Sequence, residues 1–209
     1  MPTTARETRK NQTRDALTEA AISLLASEGI EALTADRIAE AAGVSRRTLF
    51  NYFPRVEDVL TATIEGVTSE TIDAIVARPA EESLRDAAMA VIEELIDSPA
   101  FAQVRILERA AATSPATRRF VLEFDDRQCR ALEEGLRRRL GEDADPIFVA
   151  GLAAAAFGVL CAVTRLAVAA TDDDTRAAEL HKQWIRRGLD LLFAGFDESG
   201  ARPTPTEEN

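Results

Sequence analysis

Eight side chains between positions 45 and 55 could act together on one kind of partner: Ser45, Arg46, Arg47, Thr48, Phe50, Asn51, Tyr52 and Arg55. An arginine can donate two parallel hydrogen bonds to a guanine edge, and an asparagine can pair with adenine. An aromatic ring or a methyl group can touch a thymine methyl. The hydroxyls of Ser45, Thr48 and Tyr52 and the guanidinium of Arg55 suit phosphate oxygens, which fix register without specifying sequence. Leu49 and Phe53, four residues apart, supply the opposite, buried side of the same helix. The pattern predicts a short helix presented to the major groove of duplex DNA. Arg46, Arg47 and Asn51 are its base readers, and Thr34 adds a phosphate contact from upstream.

Such a helix needs a second one to hold it. Thr34 is suited to cap a helix whose first turn holds Asp36, where a carboxylate complements the helix dipole. Ile38, Ala39 and Ala42 follow at helical spacing, and the small Ala39 allows a close crossing. Gly43 provides the stop, because the turn there requires a left-handed backbone. Val44 plugs the turn into the core and Ser45 caps the next helix. Caps, turn, apolar pattern and exposed chemistry agree over about twenty residues, and that agreement across levels is the warrant for a helix-turn-helix.

Residues 34–60 resemble the TetR (tetracycline-repressor-like) family of bacterial transcriptional regulators. The resemblance lies in Ile38-Ala39, Ala42-Gly43-Val44-Ser45, Thr48-Leu49-Phe50 and Tyr52-Phe53-Pro54, followed by Glu57-Asp58-Val59-Leu60. It extends back through a helix over residues 13–28 with its Glu28-Gly29 ending. It implies an all-helical dimer with an N-terminal DNA-binding domain and a divergent C-terminal domain that binds a small effector and so releases the operator. Two positions depart from the family pattern. Asp36 stands where the family often has an arginine able to reach a base, and Val56 stands where it tends to have a phosphate-binding lysine. Arg55 is placed to replace the lysine.

The formal charge of -11 looks wrong for a DNA-binding protein until its distribution is read. Residues 1–55 hold eight basic and seven acidic residues, whereas residues 56–209 hold seventeen and twenty-nine. Gly43 to Arg55 carries three arginines and no acid, and Arg6, Arg9, Lys10 and Arg14 form a basic N-terminal arm. Screening weakens acids more than ~8 Å away at physiological salt, so local potential governs phosphate binding. The opening residues, Met1 to Arg14, lack the apolar stretch of a secretory leader. Cys129 and Cys161 lack metal-ligand spacing and read as buried small apolar residues. Together these predict a cytoplasmic protein.

The remaining chain reads as all-α. Helix one runs from about Gln12 to Glu28, and Pro54 opens a helix to about Val76. A Ser83–Asp86 capping box opens another. Ser98-Pro99 and Ser114-Pro115 each pair a cap with a first-turn proline, Asp145-Pro146 opens another helix, to about Ala170, and Thr171 to Asp174 opens a last helix to about Phe196. The long helix after Pro115 buries Phe120, Phe124, Leu132, Leu136 and Leu140. Ile147 to Ala170 is apolar all round, which fits a buried helix; Arg165 and the charged neighbouring helices argue against a membrane span. Gly151, Ala154, Ala155 and Gly158 permit close approach, and His181, Ile185, Gly188, Leu189, Leu192 and Phe196 form a stripe. These two helices from each of two subunits predict a four-helix homodimer interface. The expected organisation is an N-terminal arm and three-helix DNA-binding domain at 1–55, a larger helical effector-binding and dimerisation domain at 56–199, and a disordered tail at 200–209.

An effector cavity is expected among the C-terminal helices, with Phe101, Phe120, Phe124, Phe157 and Cys161 as apolar walls and Arg105 and Arg165 as polar anchors. No catalytic residue, metal site or cofactor is expected. His181 is the single histidine, read as exposed or at an interface, and no phosphate loop or nucleophile elbow occurs. The expected partners are a palindromic DNA operator, a small-molecule effector and a second copy of the chain, with no membrane. The sequence leaves two other readings open: control by a protein partner, and a helical interaction module without a specific operator.

Overall fold

A computed structural model describes residues 5–141 and 143–195. Among these the regular elements are helices: α1 (Ala5–Glu28), α2 (Ala35–Ala41), α3 (Arg46–Tyr52), α4 (Asp58–Ala77), α5 (Leu84–Leu95), α6 (Pro99–Thr113), α7 (Pro115–Leu140), α8 (Pro146–Ala170) and α9 (Asp174–Ala194), with one 3-10 turn at Ile30–Ala32. The chain divides into two compact units. One holds the residues up to Glu70 together with Asp97–Gln128; the other holds Thr71–Ile96 and the residues from Cys129 onward.

The helix starts follow from the caps. Thr34 Oγ1 accepts from Arg37 N, Ser45 Oγ from Thr48 N at 3.1 Å, and Asp173 Oδ1 from Arg176 N at 2.8 Å. The Ser83–Asp86 box closes in both directions: Asp86 N donates to Ser83 Oγ, and Ser83 Oγ donates to the Asp86 carboxylate at 2.7 Å. Ser98 departs from its expectation. It precedes α6 without a side-chain cap bond.

Three boundaries differ from the sequence reading. α1 begins at Ala5, so Arg9, Lys10 and Arg14 lie on its first turns and not on an arm ahead of it. Ala, Arg, Glu and Lys are good helix formers, and a helix needs no apolar stripe to continue along an exposed face. α4 begins at Asp58 instead of Pro54: Phe53, forced extended ahead of the proline (φ −134°, ψ 110°), drops into the core, and Arg55 N donates to Asp58 Oδ2 at 3.1 Å. α9 ends at Ala194, where Gly195 takes a left-handed conformation at φ 88°. Phe196 and the tail at 200–209 lie outside the described residues.

In the first unit a single core joins Leu17, Ala21 and Leu25 of α1, Ile38 of α2, Leu49 of α3 and Leu60 and Ile64 of α4. Leu107 and Ala111 of α6 and Val121 and Phe124 of α7 belong to the same core. A part-buried ion pair ties α6 to α7, where Arg118 grips Glu108 at 2.8 and 3.1 Å. The hydrogen-bonded carboxylate raises the pKa of the Arg118 guanidinium and keeps it charged. Ser114, between the two helices, has its hydroxyl 3.5 Å from the carboxylate of Glu31.

In the second unit α8 and α9 form the main pairing. Gly188 makes it possible: a Cβ there would stand 2.5 Å from Cγ1 of Val159 and 3.3 Å from Cγ1 of Val163. His181 is buried here, contrary to the exposed or interface position expected, with Nε2 2.8 Å from Thr164 Oγ1. Because that hydroxyl donates its one proton to the Leu160 carbonyl, at 2.9 Å, His181 Nε2 is the donor. The stripe of Ala177, His181, Ile185, Gly188 and Leu189 is thus spent inside the subunit. α8 is buried on one side only, through Val149, Ala153, Val163, Thr164, Ala167 and Val168. Its other side leaves Ile147 81% exposed, Phe148 54% and Leu166 55%, so the helix is not buried all round as its composition suggested. Leu140 is exposed as well, at the end of α7. Neither Cys129 nor Cys161 forms a disulfide, and both are half-buried.

Candidate nucleic-acid interface

Leu49 is fully buried and Phe53 nearly so, which fixes the rotation of α3 about its axis. Arg46, Arg47, Phe50 and Asn51 are consequently exposed, and Thr48 and Tyr52 are half-buried at the flanks. All six expected groups therefore share one short helix with its apolar side anchored. Gly43, at φ 67°, turns the chain between α2 and α3, and Val44 N donates back to Ala39 O at 2.9 Å. Thr34 and Arg55 are exposed at the start of α2 and just beyond α3.

The hydroxyls of Ser45 and Thr48 lie 2.8 Å apart, and Ser45 Oγ also accepts from Thr48 N. One hydroxyl proton bridges the pair, which leaves the other to be given to an outside acceptor such as a phosphate oxygen. Arg55 sits loosely beside Glu57, with Nε 3.7 Å from Oε2, a screened surface pair of little energetic weight.

Four contacts at this surface were missed from the sequence. The Arg46 guanidinium reaches back to Asp36 of α2, Nη1 to Oδ2 at 3.3 Å, and also lies over the Phe50 ring with 5.6 Å to its centroid. Arg14 of α1 stacks over Phe53 at 4.7 Å. Arg37 holds Glu28, at the end of α1, through two bonds of 2.5 and 2.9 Å, tying α2 to α1. The Arg37 hydrogen bond holds the Glu28 carboxyl below its ordinary pKa. Opposite charges at 28 and 37, or at 36 and 46, were the available signals, but no fixed helical spacing links residues across a turn.

The expected effector residues divide between the two units. Phe124 is buried in the core of the first, with Phe120 packed against that core. Phe101 is half-buried on α6, and its carbonyl accepts from Arg105 Nη1 at 3.0 Å. Phe157 and Cys161 are half-buried on α8 in the second unit, while Arg165 is exposed. Among the described residues no group of histidine, cysteine and carboxylate side chains could hold a metal ion.

Two helices joined by a glycine turn, the second anchored by apolar residues and armed with arginines, define a helix-turn-helix DNA-binding protein. Residues 17–63 match the model of the bacterial regulatory proteins of the tetR family. The HTH-type transcriptional regulator TcmR of Streptomyces glaucescens is 29% identical over 158 residues, 69% of each chain. The fold is similar to that of SmeT in its triclosan complex, with 20% identity, TM-score 0.58 and coverage of 94% of this chain and 97% of that one. It is also similar to that of a TetR-family regulator of Mesorhizobium loti, at 20% identity, TM-score 0.52 and 90% and 98% coverage. Residues 17–63 are thus similar to the N-terminal DNA-binding part of the TetR family of transcriptional regulators, and the fold as a whole is similar to that of its solved members.

Proposed function

We propose that the protein is a dimeric repressor, acting in the cytoplasm, that binds a palindromic operator and is released by a small-molecule effector. Arg46, Arg47 and Asn51 read base edges, and Thr34, Ser45, Thr48, Tyr52 and Arg55 hold phosphates. Arg9 and Lys10, on the exposed first turns of α1, add sequence-independent attraction. The dimer forms through the last two helices, with the exposed apolar face of α8 as the contact surface. Ile147, Gly151, Ala154, Ala155, Gly158 and Leu166 are all exposed, on the side of α8 away from its buried stripe. A second copy covers this apolar face and sets the two recognition helices ~34–36 Å apart, one turn of DNA. Arg165, on the exposed side, supports a protein partner over a lipid one for a helix that has the length and hydropathy of a membrane span.

The observation that carries release by an effector is the shared core of the first unit. α6 and α7 bury side chains in the same cluster as the helix-turn-helix, so a ligand that shifts α6 or α7 must repack the helices that hold α3. Polar atoms for a ligand are present on these helices: Ser98 Oγ, Gln103 Oε1 and Thr117 Oγ1 are buried with no hydrogen-bond partner among the described residues. Phe101 and Arg105 flank Gln103 in sequence. Effectors with both an apolar body and a hydrogen-bonding edge suit this set, in keeping with the triclosan held by the SmeT structure.

Reciprocity tests the reading. A compound that raises the melting midpoint of the free dimer is titrated against the protein with and without bound operator. The compound should weaken DNA binding by the factor by which DNA weakens the compound's binding. A compound that stabilises the protein and leaves operator affinity unchanged would speak for control by some other partner.

A further inference from the structure

We propose that Asp36 is a positioning residue that fixes the guanidinium of Arg46 and commits the pair to a G·C base pair. The inference rests on the reading of Arg46 as a base reader. Asp36 lies in the first turn of α2 and Arg46 is the first residue of α3, so the contact crosses the turn from one helix to the other. Two groups hold the guanidinium: the carboxylate at 3.3 Å and the Phe50 ring one helical turn further on. Both charged side chains remain largely in solvent, 61% for Arg46 and 72% for Asp36, so the pair adds little to stability. Its consequence lies in what the two groups present to DNA.

A guanidinium has five N–H donors, of which Asp36 engages those of one nitrogen, so donors remain for a partner outside. The neighbouring carboxylate cancels most of the charge that would draw Arg46 to a phosphate. A base edge does not depend on that charge. In the major groove guanine offers N7 and O6 as acceptors, and its partner cytosine offers an amino group that a carboxylate can accept. A donor group and an acceptor group held side by side match that pattern. Adenine facing the guanidinium sets an amino donor against donors and thymine O4 against the carboxylate; in the reverse orientation thymine O4 offers the guanidinium one acceptor where guanine offers two. Asp36 therefore acts through Arg46: it holds the guanidinium where guanine's two acceptors satisfy it best, and the carboxylate is kept at the base edge only while Arg46 holds it there.

The test is binding-site selection from random duplex DNA by the full-length protein, run in parallel with Asp36→Asn, Arg46→Ala and the double variant, at one salt concentration. The account expects one G·C position per half-site that Arg46→Ala relaxes. Asp36→Asn should relax the same position, cutting the preference for G by about tenfold, and should add nothing in the Arg46→Ala background. Melting midpoints should stay with the parent, since both residues are exposed. If Arg46→Ala relaxes no position, base reading by Arg46 fails and the proposal falls with it. If Arg46→Ala relaxes a position that Asp36→Asn leaves intact, while tightening binding to all sequences alike, Asp36 merely repels phosphates and the proposal alone is overturned. Further relaxation in the double variant would likewise show that Asp36 does not act through Arg46.

Discussion

α3 keeps Leu49 in the core, with Phe53 just beyond it, and leaves Arg46, Arg47 and Asn51 in solvent, whereas α8 leaves Ile147, Phe148 and Leu166 there. Both helices are anchored on one side and unpartnered on the other, but the chemistry of the open side is opposite. Charged donors in water cost nothing to leave exposed, and they gain from an anionic partner that displaces counterions. Apolar side chains in water carry a standing cost that only burial removes. The comparison separates two kinds of open face: the charged face of α3 is at ease in water, whereas the apolar face of α8 carries a cost that burial would remove.

The comparison breaks most visibly at α8. A charge placed in the exposed stripe, as in Ala155→Glu, should convert the dimer to monomer by sedimentation velocity. Because two linked reading heads bind far more tightly than one, operator affinity should fall by about 10²–10⁴-fold. A variant that stays dimeric would show that another surface joins the copies. The complementary change, Arg47→Ala, should leave the dimer intact and cost about 1–3 kcal/mol of operator binding, concentrated at one base position. Equal weakening on every sequence would reassign Arg47 to a phosphate.

On the buried side of α8, Gly188→Ala forces a methyl against Val159. Overpacking of this kind should cost about 1–3 kcal/mol in chemical denaturation; an unchanged midpoint would mean that the α8–α9 seam has slack. Tyr52→Phe removes only a hydroxyl, and should weaken binding on all sequences by about 0.5–1.5 kcal/mol. A changed base preference would overturn its phosphate role. The smallest effect concerns Glu28. Its pKa in the folded protein is lowered by Arg37 from an ordinary value of 4.5, so the unfolded chain takes up its proton first as the pH falls. The contribution of the pair is therefore full above that ordinary value and is lost as the pH falls through the depressed one. Comparing the acid side of the stability profile with that of Glu28→Gln should show the difference there and not near neutrality.

What the sequence makes legible is what is local. The caps at Thr34, Ser45 and Ser83, the turn at Gly43 and the anchors Leu49 and Phe53 are each specified within a few residues, and the structure places them accordingly. The exposed face of α3 follows by elimination. The start of α1 was not legible, because its polar first turns carry no apolar stripe. The orientation of α8 was not legible either, since a helix apolar all round has no periodicity to say which side packs. The burial of His181 depends on Thr164, seventeen residues away on another helix. The Asp36–Arg46 contact spans a turn, and Asp36 read alone suggested only a lost contact.

The most direct test of the central claim, that α3 reads sequence on behalf of a dimer, is recovery of bound fragments from the source genome with the purified protein at a fixed, moderate salt concentration. The account predicts enrichment of one palindrome with half-sites a helical turn apart, protected by two subunits. Binding that depends on salt but not on sequence, or no binding, would contradict it.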